Sequence, residues 1–143
     1  MKKIIVLIGI VILLTGCTDD SKLRTDLISP KEAGNEVQSF FETAKKQNGI
    51  HLYQDNDEKI YLMLNGANIL QDQPAITFSN FKVKEDGDTL KVYYEVETVA
   101  DYEDKNLENQ LFFEVELNKA YETIQLYKNG KPSNFEMVLG NTN

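Results

Sequence analysis

The chain has no tryptophan, one cysteine, one histidine and one arginine among its 143 residues. Each shortage excludes something. A single cysteine cannot close an internal disulfide, so the fold must be held by packing and hydrogen bonds. His51 is the only imidazole, so Ser-His-Asp catalysis, Cys-His catalysis and a zinc site would all have to draw on it. A structural role is the expectation for His51. The eight glycines are scattered at single turns, and none builds a phosphate-cradling loop. Paired carboxylates for glycoside hydrolysis are open to any two strands, but no tryptophan is present to line a sugar groove. Basic residues are outnumbered 15 to 23 and the net charge is −8, which argues against nucleic acid, whose recognition needs lysines and arginines to neutralise phosphates. Asp55-Asn56-Asp57 opens like a calcium loop, but Lys59 and Ile60 stand where an oxygen ligand and a glycine are needed. Glu85, Asp86 and Asp88 on a tight turn offer too few oxygens, and Asp101, Glu103 and Asp104 read as a solvated loop. No enzyme activity, no cofactor and no metal are therefore expected. The longest apolar run, Ile4 to Leu14, also falls short of the roughly 20 residues a spanning helix needs.

What is present begins with that run. Lys2 and Lys3 precede it, and Thr15-Gly16 follow as small residues before Cys17, the order of a secretory signal. Leu14-Thr15-Gly16-Cys17 resembles a lipobox, so the N-terminus is similar to those of bacterial lipoproteins. That resemblance implies cleavage before Cys17, a diacylglycerol on its sulfur, and a place on the outer face of the cytoplasmic membrane. One acyl chain binds a bilayer only marginally, whereas two or three on one cysteine anchor it stably. Cleavage removes Lys2 and Lys3 and takes the net charge from −8 to −10, which argues against a second, electrostatic grip on anionic lipid. The excess of lysine over arginine fits an AT-rich, Gram-positive source.

Residues 1–16 are thus read as a signal peptide, 17–28 as a lipidated tether and 29–143 as one globular domain. Fully extended, Thr18 to Ile28 would reach roughly 35–40 Å. Ser29-Pro30-Lys31-Glu32 reads as a helix start, with Ser29 capping and Glu32 completing the box. Ala33, Val37, Phe40, Phe41 and Ala44 recur at helical spacing, and Asn48-Gly49 reads as the stop. The remainder reads as strands and turns. Residues 60–64 are apolar on both phases, as in a central strand. Ile76 and Phe78 are out of phase with Phe81 and Val83, which predicts a bulge near Ser79-Asn80. Leu90, Val92, Tyr94 and Val96 alternate cleanly with polar neighbours. The fold class expected is α+β: one amphipathic helix packed on an antiparallel meander of five to seven strands, or the same sheet curled into a partial barrel.

On the phase opposite the core, the strands carry Tyr61, Tyr93, Phe112 and Tyr127. If these strands are neighbours, the rings share one face with Glu95, Glu97, Glu114 and Glu116 around it, the composition of a protein-binding patch. The competing reading is a second small core under a loop. The layout of residues 60–131 resembles the C-terminal module of PrcB-type protease-complex subunits. The likeness rests on the glycine turn after Tyr61-Leu62-Met63-Leu64-Asn65-Gly66, the hairpin Asp86-Gly87-Asp88 into Thr89-Leu90-Lys91-Val92, and the apolar strand Leu111 to Leu117. It implies a lipoprotein that binds and stabilises a secreted protease. The function expected is a non-enzymatic surface lipoprotein that captures a protein or peptide, of protease-stabilising, immunity or exclusion type. A small-ligand carrier and a cell-envelope hydrolase are the alternatives.

Overall fold

The computed structural model describes residues 22–69, 71–99 and 109–140. The signal peptide, Cys17 and the acidic loop at Asp101–Asp104 lie outside the described residues.

Nine strands and one α-helix are present among the described residues. In chain order they are β1 (Arg24–Leu27), α1 (Asn35–Ala44), β2 (Gly49–Asp55), β3 (Lys59–Asn65), β4 (Ala75–Asp86), β5 (Thr89–Val99), β6 (Gln110–Glu116), β7 (Thr123–Lys128), β8 (Lys131–Ser133) and β9 (Met137–Gly140). They form two sheets, sheet I in the order β1-β6-β3-β2-β9 and sheet II in the order β4-β5-β7-β8. This corrects the single antiparallel meander, and the sheets do not close into a barrel. β3 pairs with β2 and β6 instead of continuing to β4, and β9 runs parallel to β2 as β7 does to β5. The chain changes sheet after β3, β5, β6 and β8, so neighbours in sequence are often not neighbours in space.

The two sheets face each other across the main core. Ile50, Leu52, Ile60, Leu62, Leu64 and Val115 from sheet I meet Phe78, Leu90, Val92, Tyr94 and Leu126 from sheet II. These side chains pack between the two sheets. A stacked Phe81–Phe113 pair, 3.9 Å between centroids, adds a further contact between the sheets. The bulge lies between Ser79 and Lys82, with Asn80 at φ 51°, and it returns Phe81 and Val83 to the side of Phe78. Burial of this cluster at roughly 25 cal/mol per Å² of apolar surface is the main stabilising term available to a chain without disulfides.

The other face of sheet I carries α1. Val37, Phe40, Phe41 and Ala44 bury against Tyr53, Tyr61 and Met63. This explains why β2 and β3 are apolar on both phases: both of their faces are covered. The start of α1 differs from the sequence expectation. Pro30–Glu32 form a separate 3-10 turn in which the Glu32 carboxylate accepts from the Ser29 N–H at 2.6 Å. Ala33 then turns extended and buries, its carbonyl accepting from Gln38 Nε2 at 2.6 Å, and the α-helix begins after Gly34. Residues 24–27, read as the end of the tether, are instead β1, paired with β6 from Arg24↔Glu116 to Leu27↔Phe113.

Candidate functional site

The four aromatic residues expected on one face divide between two. β3 and β6 are neighbours in sheet I, and their outer phase faces α1. Tyr61 is buried at 5% exposure, and Phe112 packs on Phe41 with centroids 4.7 Å apart. Burial, with Glu114 opposite it on β6, pushes the Tyr61 hydroxyl up to about 12. These two rings belong to the second core, so they are removed from the candidate contact surface. Glu114 and Glu116 leave the expected acidic rim with them, since β6 lies in sheet I.

Tyr93 and Tyr127 are brought together. β5 and β7 run parallel in register, Tyr93↔Tyr127, which stacks the rings 4.9 Å apart at 16° on the outer face of sheet II. No element covers that face among the described residues, and both rings are partly exposed. Sequence reasoning placed these two but missed what surrounds them. Lys82 and Lys84 alternate outward after the bulge and reach the Tyr93 ring at 5.5 and 5.9 Å, and Lys91 reaches the Tyr127 ring at 5.8 Å. The signal was available in the Lys-x-Lys of residues 82–84, but it points to a shared face only once β4 is paired with β5 across the bulge. Lys91 also pairs with Asp86 at 2.8 Å, and that contact raises its own ammonium pKa and lowers the Asp86 carboxyl. Among the described residues Lys82 and Lys84 have no carboxylate partner. A cationic, aromatic patch thus stands on a chain of strongly negative net charge. Glu95 and Glu97 continue the same phase of β5 beyond it, with Glu95 accepting from Asn80.

His51 takes a structural place. It is fully buried under α1, and its Nε2 lies 2.9 Å from the Gln47 carbonyl. With the proton on Nε2 that contact is a hydrogen bond, and Nδ1 is left without a partner. Beside it, fully buried Asn65 closes the end of α1. Its Nδ2 donates to the carbonyls of Lys45 at 3.0 Å and Gln47 at 2.8 Å, and its Oδ1 accepts from the Ala67 N–H at 3.1 Å. No group of three or more metal-ligating side chains occurs among the described residues.

A family model described as the prokaryotic membrane lipoprotein lipid attachment site matches residues 1–18. It spans Cys17, and it supports reading the chain as a lipid-anchored, membrane-associated bacterial lipoprotein. No curated protein and no solved structure matches the chain. Among the described residues no helix is long and apolar enough to cross a membrane.

Proposed function

We propose that this protein is a non-enzymatic, extracytoplasmic lipoprotein that captures a protein or peptide partner on the outer face of sheet II. The observation that carries the reading is the Tyr93–Tyr127 stack flanked by Lys82, Lys84 and Lys91. Stacked tyrosines supply rigid contact area with two polar tips, and such residues are over-represented among the anchors of protein interfaces. The lysines give the patch its sign. A partner whose contacting segment is acidic gains from Lys82 and Lys84, which have no carboxylate partner among the described residues. The net charge of −8 taken alone would favour a cationic partner, whereas the lysines clustered on this face favour an acidic one. The layout of residues 60–131, which resembles that of PrcB-type subunits, makes a secreted protease the first partner to test.

The test is photo-crosslinking in living cells from a reactive amino acid placed at position 127 of the full lipidated chain. The expected result is a defined adduct with an extracytoplasmic protein, lost when Lys82 and Lys84 are both changed to Glu. Adducts that are diffuse, or unchanged by the charge reversal, would count against this face as the contact surface.

A further inference from the structure

Lipid attachment at Cys17 and the docking of Leu23 bear on which end of the domain faces the bilayer. Leu23 packs against the core between the sheets, and β1 begins at the next residue. Residues 18–22 separate the Cys17 attachment site from the docked Leu23. Fully extended they reach about 20 Å, roughly half of what a tether running to Ile28 would allow.

Several elements meet at the end where β1 starts. Arg24 pairs with Glu116, which pairs with Lys59 at the start of β3. The turn at 56–58 lies there, with the Glu58 carbonyl accepting from the Leu117 N–H at 2.7 Å. The β4–β5 turn joins it through Lys119 to Glu85 at 3.1 Å and Asn118 to Glu85 at 2.9 Å, and the Asp88 carbonyl accepts from the Glu122 N–H at 2.9 Å. The opposite end holds Asn65, Ala67 and the close of α1 at Gln47. The seven residues of β3 put about 20 Å between the two ends.

The geometry points to the end built from residues 56–58, 86–89 and 117–122 as the surface held against the lipid headgroups, with Asn65 and the close of α1 directed away. The side chains there include Asp57, Glu58, Asp86, Asp88 and Glu122, so this end is apposed to the headgroups and not inserted among the acyl chains. The inference rests on lipid attachment at Cys17 and is independent of what sheet II captures.

Acylation occupies the Cys17 sulfur, so an introduced cysteine is the one free thiol to label. Full-length lipidated D57C and A67C would each carry a fluorophore, in phosphatidylcholine–phosphatidylglycerol vesicles with a headgroup-level nitroxide quencher. D88C and Q47C form a second near and far pair should either of the first misfold. The near labels are expected to quench at least about twofold more than the far labels. Inserting a long Gly/Ser segment after Asp20 should erase the difference. Equal quenching at both ends, stronger quenching at the far end, or none at either would overturn the inference.

Discussion

Two adjacent residues show how much hangs on single side chains where α1 meets sheet I. Asn65 ties the end of α1 to β3, donating to the Lys45 and Gln47 carbonyls alongside Asn68 and His51 and accepting from the Ala67 N–H. Asn65→Ala should cost about 2–3 kcal/mol, read as a lower denaturant midpoint with unchanged slope. Gly66 is a close-approach glycine: a Cβ there would stand 2.5 Å from Ile76 Cγ1. Gly66→Ala should therefore destabilise by about 1–3 kcal/mol through overpacking, while Gly34→Ala, with open space around it, should show no such clash. The sequence marks Asn65-Gly66 as a turn, which is a reasonable reading of the pair. Their actual roles depend on a helix end and a strand of the other sheet arriving at the same place, which no local pattern contains.

Among the elements, those governed by their own residues were legible and those governed by partners were not. The alternation of Leu90, Val92 and Tyr94 identified the inner phase of β5, and the phase slip located the bulge, because both arise within one strand. Apolar residues on both phases of 60–64 showed that β3 is covered twice, without saying by what. The order of strands was not legible, since β3–β6 and β5–β7 pairings join segments separated by long connections. The same limit divided Tyr61 and Phe112 from Tyr93 and Tyr127: the phase was right, the sheet was not. β1 was missed because RTDL has neither alternation nor a run of β-branched residues, and it is placed by pairing with β6. It covers an edge that would otherwise present unpaired backbone groups. A soluble chain starting at Lys22 should be monomeric in sedimentation velocity, whereas one starting at Ser29 should be less stable and self-associate.

At the scale of the whole molecule, two cores and one open face make separable predictions. Tyr61 has its hydroxyl raised by burial from 10.0 to about 12, and burial also raises Tyr53 and Tyr94. A folded-state value above the unfolded one means that this stability is complete below pH 10 and is lost as the pH climbs toward 12. For Tyr61 alone the loss is about 3 kcal/mol, so alkaline unfolding should coincide with tyrosinate absorbance and be shallower in Tyr61→Phe. The open face should behave in the opposite way, contributing to capture and little to folding. The most direct measurement compares Tyr93→Ser/Tyr127→Ser with Tyr61→Ser in the full lipidated protein, scoring thermal unfolding and partner capture side by side. The double variant should keep its cooperative transition and lose capture, while Tyr61→Ser should lose stability on the order of 3 kcal/mol. A double variant that unfolds, or one that still captures the partner at the wild-type level, would contradict that expectation.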